Sequence, residues 1–343
     1  MRLRRCAPAF AILLLCVLHL QAPSQSIPTN TWQQGGVLST ARTGATATLM
    51  ADGRILIVGG KDGSGTALAT AEVFNPDGTT APVLSMLIPR CGHSAILLYD
   101  GSVLVAGGHT SGSGVVNSAE LFDPVANTWR LLPNTMADSR ADFTLSQLID
   151  GNVLVVGGDN GSGPVSSVEK FDFVTGVFKY ESSLITARTA HAASVLKDGR
   201  VFVTGGSAVA PDGSRIALTS TEIYDPKLTF ISAGPKLNVR RYAHSATTLI
   251  DGTVLLAGGN NGAADLASIE ICDPAANTLT LSSAHLATAR SGHIALLLPN
   301  NNGVLIAGGT SFSTPLSSSE LYQSWNSTIL KFSNERCSTG RCR

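Results

Sequence analysis

Short apolar runs recur along the chain at a nearly constant interval, and each ends in a pair of glycines. Val103-Leu104-Val105-Ala106, Val153-Leu154-Val155-Val156 and Val254-Leu255-Leu256-Ala257 hold no polar residue. A strand wetted on one face alternates apolar and polar side chains, so an unbroken run predicts a strand covered on both faces. The pairs Gly59-Gly60, Gly107-Gly108, Gly157-Gly158, Gly205-Gly206, Gly258-Gly259 and Gly308-Gly309 are spaced by 48, 50, 48, 53 and 50 residues. Such a period marks a repeat architecture.

Around each pair the same words return. The second unit has Arg90-Cys91-Gly92-His93, then Asp100-Gly101, the run to Gly108, Glu120-Leu121-Phe122-Asp123-Pro124 and Asn127-Thr128-Trp129. Asp52-Gly53, Asp100-Gly101, Asp150-Gly151, Asp198-Gly199 and Asp251-Gly252 lie between apolar runs, with Asn302-Gly303 in the sixth place, and supply positive-φ residues for tight β-hairpins. Third strands end at Asp-Pro, where proline is tolerated. Segments around Trp129, Phe178, Phe230 and Leu279 give fourth strands. One such sheet cannot bury both its faces, whereas six in a ring can, with only short edges left over. Asn30-Thr31-Trp32 echoes Asn127-Thr128-Trp129, and Gln323-Ser324 replaces Asp-Pro in the last unit. The N-terminal segment, residues 27–37, is therefore expected to supply the last outer strand and latch the ring. The expected fold is an all-β six-bladed β-propeller with four antiparallel strands per blade.

The Gly-Gly pair, the Glu-x-aromatic-Asp-Pro word and the Trp-like position after it resemble the kelch repeat, over residues 30–325. The form here is similar to that of bacterial exported kelch-type proteins, related in fold to the central domain of galactose oxidase. Asn75, Ala81, Phe173 and the end of the sixth unit depart from the pattern.

Arg2, Arg4 and Arg5 precede an apolar run from Ala7 to Leu20, and small residues follow in Ala22-Pro23-Ser24-Gln25-Ser26. This is the three-part pattern of a secretory signal peptide. The run holds Pro8 and is short of the roughly 20 residues that span a bilayer, so no membrane insertion is expected after cleavage. The expected organisation is a signal peptide over 1–24, a propeller over 27–325 and a tail over 326–343, in a secreted or periplasmic monomer. Apolar residues make up 43% of the chain and charged ones 14%, so a sizeable core is available. The 24 basic residues less those three arginines face 24 acids, a net −3, and nothing draws the chain to nucleic acid.

Cys91, Cys272, Cys337 and Cys342 then remain. In an oxidising compartment Cys337 and Cys342 are candidates for a local disulfide. The four lack the paired spacing of a structural zinc site.

Antiparallel order puts Arg42, Arg90, Arg140, Arg188, Arg241 and Arg290 on one side of the ring with Glu72, Glu120, Glu169, Glu222, Glu270 and Glu320. The arginines are candidate ligand-binding groups, presenting forked donors to a carboxylate or polyhydroxyl ligand. The alternative is that each pairs with a glutamate and fixes blade geometry, which equal numbers and repetition in every unit favour. His93, His191, His244 and His293 stand three residues after their arginines, with Ala45 and Phe143 in the same place elsewhere. That replacement favours packing or hydrogen bonding over a metal, and neither metal nor cofactor is expected.

The galactose oxidase resemblance implies one enzymatic alternative, a copper-radical oxidase using a Cys crosslinked to a Tyr, a second Tyr and His ligands. Here there is no His-His pair, 20 residues follow Gln323, and Cys272 takes the aromatic place of its word, as buried filler. A second alternative resembles exported kelch-type sugar epimerases and would use arginine and acid groups at the channel mouth, yet the sequence offers no acid-base pair outside the repeated set. The loops after Gly-Gly differ between units and are polar: His109 to Gly114, Asp159 to Gly163, Ser207 to Thr221 and Asn260 to Gly262. Asn160 and Asn326 head glycosylation acceptor patterns. The function expected is a non-catalytic binding module for an extracellular protein or glycan, using the arginine-bearing face.

Overall fold

The structure, a computed structural model, describes residues 38–323 apart from 113, 299–302 and 317. The described residues form strands and turns with no helix. Six antiparallel sheets follow one another along the chain as the blades of a propeller, five with four strands and the sixth with three described strands. In the third sheet, Thr144–Gln147 pairs Val153–Val156, which pairs Ser167–Asp172, which pairs Val177–Ser183. The first strand of each sheet, from Thr46–Leu49 to Ile294–Leu298, neighbours the first strand of the next.

The unbroken apolar runs are the reason the sheets stack. In Val153–Val156 every side chain is fully buried. Val153 and Val155 pack toward the second sheet with Leu104, Ala106 and Phe143, whereas Leu154 and Val156 pack toward the fourth with Val201 and Val203. One strand thus feeds two cores, and each such side chain contributes roughly 1.5–3 kcal/mol through burial. Cys272 lies in the core between the fourth and fifth sheets, opposite Leu279, where burial raises its thiol to about 11.

The Asp-Gly words divide their work. Only the glycine is left-handed, as at Gly101 (φ 84°) and Gly151 (φ 88°). The aspartate instead accepts a backbone N–H two residues on, Asp100 from Ser102 and Asp150 from Asn152. This is a three-residue hairpin loop with an Asx turn, not a two-residue turn with both residues at positive φ.

The Gly-Gly pairs serve the seams between sheets. Gly107 and Gly108 have φ of 66° and 97°, and the Gly108 N–H donates to the Arg140 carbonyl of the next sheet at 2.9 Å. A Cβ on Gly107 would lie 2.3 Å from that oxygen and 2.6 Å from Phe143. The same bond joins Gly60 to Arg90, Gly158 to Arg188, Gly206 to Arg241 and Gly259 to Arg290. Among the described residues the seam from sixth to first sheet carries no such bond, and Ile294, Leu296 and Leu321 are 46%, 42% and 48% exposed. The expected latch over residues 27–37 lies outside the described residues, as do the signal segment, Asn326, Cys337 and Cys342.

Gly107→Ala is expected to cost more than ~2 kcal/mol, from left-handed strain plus the clash with Arg140. Gly63→Ala, where a Cβ meets open space, is expected to stay within ~0.5 kcal/mol of the parent. Urea unfolding of both checks the contrast.

Candidate functional site

Each arginine of the repeat lies in the turn leading into a first strand, and its side chain runs back into its own sheet. Arg90 donates through Nη1 to the carbonyls of Gly107 (2.8 Å) and Ser118 (3.0 Å), and through Nη2 to Glu120 Oε1 (2.8 Å). The Glu120 carboxylate also accepts the backbone N–H groups of Leu87 (2.7 Å) and Ile88 (3.1 Å). The pairing recurs as Arg42–Glu72, Arg140–Glu169, Arg188–Glu222, Arg241–Glu270 and Arg290–Glu320. All six arginine side chains are 0–1% exposed. A ligand at the mouth therefore meets other groups, because these guanidiniums are enclosed within the blades with both terminal nitrogens taken by carboxylate and carbonyl oxygens, although Nε of Arg90, Arg140 and Arg241 is without a partner among the described residues.

The histidines bind sheet to sheet. Nε2 of His93 lies 2.9 Å from Thr46 Oγ1, His191 2.9 Å from Thr144, His244 2.8 Å from Thr204 and His293 2.9 Å from Ser245. The ring rests over the first glycine of the preceding sheet, where Phe143 stands over Gly107 in the same way. Burial pulls His93 and His191 down to about 3 and His293 to about 4, with the adjacent arginine adding to it. They are neutral spacers. No three His, Cys, Asp or Glu side chains among the described residues converge as a metal site, and Cys272 is sealed in the core, so the copper donor set is not assembled.

The residue before each histidine position lines the axis. Gly44, Gly92, Asp142, Ala190, Ala243 and Gly292 all have φ between 50° and 64°. Their peptides bond head to tail: Gly92 N–H to Gly44 O, Asp142 to Gly92, Ala190 to Asp142, Ala243 to Ala190 and Gly292 to Ala243, at 2.7–3.0 Å. Around this inner circle runs the residue after each Gly-Gly pair, tied by a backbone bridge to the residue after the arginine in the same sheet. Those residues are Lys61, His109, Asp159, Ser207, Asn260 and Thr310, six polar side chains of six kinds. The framework repeats and this rim does not.

Asp142 is the one charged residue of the inner circle. Its side chain is open to solvent, yet the surrounding protein's displacement of water raises its carboxyl above the usual range, with Asp159 adding to this and His109, Arg215 and Lys61 opposing. The loops above the rim alternate. Paired ribbons rise from the second, fourth and sixth sheets (His109–Thr110 with Gly114–Val115, Ser207–Val209 with Arg215–Ala217, Thr310–Ser311 with Thr314–Pro315). Each leans on the shorter loop before it: Ala67 N–H donates to Ser111 Oγ, Arg215 pairs with Asp159, and Phe312 N–H donates to Asp265. Asn160 caps its own loop by accepting N–H groups from Ser162 and Gly163. Lys61 and Asp142 escaped sequence reading. Aligning the units on their arginines was the signal that would have shown an acid where the others carry glycine or alanine.

Comparison with known proteins agrees with this geometry. Residues 15–206 match the family described as the KLHDC2/KLHL20/DRC7 Kelch-repeats domain. Spermatocyte protein spe-26 of Caenorhabditis elegans is 29% identical over 190 residues, 53% of this chain and 32% of that protein, so the chain spans about a third of that relative's length. Among solved structures, a fungal alcohol oxidase of the AA5 family in complex with copper superposes with a TM-score of 0.63 at 22% identity, over 79% of this chain and 59% of that one. YjhT superposes with a TM-score of 0.67 at 17% identity, over 84% and 96%. At such identities the likeness is one of fold.

Two outcomes follow from the buried groups. Arg90→Ala strands the Glu120 carboxylate and is expected to cost roughly 3–5 kcal/mol, whereas Arg90→Met with Glu120→Leu is expected to cost less, by denaturant melts of each. The neutral histidines bind fewer protons folded than unfolded, so stability is complete above their unfolded value of about 6.5 and falls as pH drops toward the folded values. Melting temperature is expected to decline steadily from pH 7 to 4.5, and His191→Gln to flatten that slope; a level profile contradicts the assignment.

Proposed function

Because the chain belongs to the KLHDC2/KLHL20/DRC7 Kelch-repeats family, we propose that it is a non-catalytic binding module that takes an extracellular protein or glycan at the channel mouth. The observation carrying this reading is the rim. A sixfold framework is indifferent to what stands after Gly-Gly, yet Lys61, His109, Asp159, Ser207, Asn260 and Thr310 are all polar and all different. Recognition of one ligand needs that break of symmetry, held on rigid elements. The secretory pattern of residues 1–26 supports an extracytoplasmic setting.

A sugar-modifying enzyme is a second reading, favoured by the acid Asp142 near His109 outside the repeated Arg-Glu set. Turnover of a sugar abolished by Asp142→Asn would establish it.

The test is capture from a glycan array and a surface-protein extract by the chain lacking residues 1–24. Lys61→Glu with His109→Ala is expected to lose at least about tenfold in capture, the effect of removing a charge-assisted contact. Val125→Ser, on the opposite face and 94% exposed, is expected to capture as the parent does. Equal capture by the rim variant, or loss in the Val125 variant, moves the site elsewhere.

A further inference from the structure

Two opposite charges overlook the channel mouth without meeting. Asp142 stands on the inner circle in the third sheet and Lys61 on the rim in the first. Neither side chain has a hydrogen bond or ion pair among the described residues, and Lys61, bridged to Thr43, holds the rim place in the first sheet that His109, bridged to Cys91, holds in the second, with its charge opposing the rise of the Asp142 carboxyl. The other charges nearby are engaged. Arg215 pairs with Asp159, and Asp265 accepts from Asn260 Nδ2 (2.9 Å) and Phe312 N–H (2.7 Å). His109 stands beside Asp142: a Cβ on Gly92 would lie 3.5 Å from His109 Cδ2 as well as close to the Asp142 carboxylate.

The backbone that carries the carboxylate is fixed on both sides. Asp142 N–H donates to Gly92 O at 2.9 Å, and Asp142 O accepts from Ala190 N–H at 2.8 Å. A Cβ on Gly92 would lie 3.0 Å from Asp142 Oδ1, so the glycine keeps the room the carboxylate occupies. An acceptor on a fixed backbone and a separate cation discriminate between ligands by charge. A lone cation satisfies Asp142 and meets Lys61 as a like charge; a lone anion does the reverse; a neutral polyol leaves both charges uncompensated. A molecule with both signs a few atoms apart satisfies the two together through charge-assisted hydrogen bonds.

We propose that the channel mouth binds a free α-amino acid, its ammonium on Asp142 and its carboxylate toward Lys61 and His109. This goes beyond the binding-module reading and rests on it only for the place of the site, assigning a small zwitterionic ligand to the same face.

The experiment is isothermal titration of the chain lacking residues 1–24 with glycine, L-alanine and L-glutamate, against N-acetylglycine, glycinamide and D-glucose. The free amino acids are expected to bind, and the two capped glycines, each missing one charge, to bind at least about tenfold more weakly. Asp142→Asn and Lys61→Met are each expected to weaken glycine by about the same factor with the melting temperature unchanged, since neither side chain holds a bond within the fold. Capped compounds binding as tightly as glycine, glucose binding alone, or none of the free amino acids binding would overturn the proposal. A protein or glycan captured through Lys61 and His109 without amino-acid binding sinks this inference and leaves the binding module standing.

Discussion

The molecule depends on what one arginine does at each of the five seams between successive sheets. Its guanidinium reaches into its own sheet and closes on a buried glutamate, while its backbone carbonyl accepts the N–H of the second glycine in the sheet before. The glutamate in turn accepts backbone N–H groups from the segment entering the sheet. Burying these charges is tolerable because each guanidinium's terminal nitrogens meet a carboxylate and two carbonyls, even where Nε of Arg90, Arg140 and Arg241 goes unmatched among the described residues. The glycines follow from the same contact, since a Cβ on the first would fall on the arginine's carbonyl. Apolar packing then fills the space between sheets that the polar staples have already set in register.

Much of this was legible in the sequence because it recurs. A Gly-Gly pair every 48 to 53 residues, an Arg before it and a Glu after it are visible without coordinates. Their physical roles were harder to read. Equal numbers of Arg and Glu favoured pairing, but only geometry shows that each guanidinium also takes two carbonyls and retains no face toward the axis. The Asp-Gly words marked hairpins correctly, yet the aspartate's part, accepting an N–H two residues on, depends on a loop length that two letters do not encode. Asp142 was invisible for the opposite reason. It occurs once, between Ala141 and Phe143, and an unrepeated residue carries no periodic signal until the units are aligned on their arginines.

That contrast separates scaffold from site. The repeated residues are buried and face inward, and the neutral histidines with Phe143 in the same slot show how a packing position tolerates exchange. The rim above them is varied in charge, size and hydrogen-bonding capacity. The ribbons on alternate sheets add a threefold unevenness to a sixfold base, each buttressed by its predecessor. Variation is confined to the places where no seam depends on it.

The inner circle of peptides bears on what a visitor at the mouth feels. Five N–H to carbonyl links run in one sense about the axis. Dipoles laid tangentially, like those of strands in a sheet, sum to little along the perpendicular direction. The scaffold is then electrically quiet down its bore, unlike a helix end, which projects a fixed partial charge. Whatever sign of potential fills that opening is written by a handful of side chains, and exchanging one of them can invert it without disturbing a single strand.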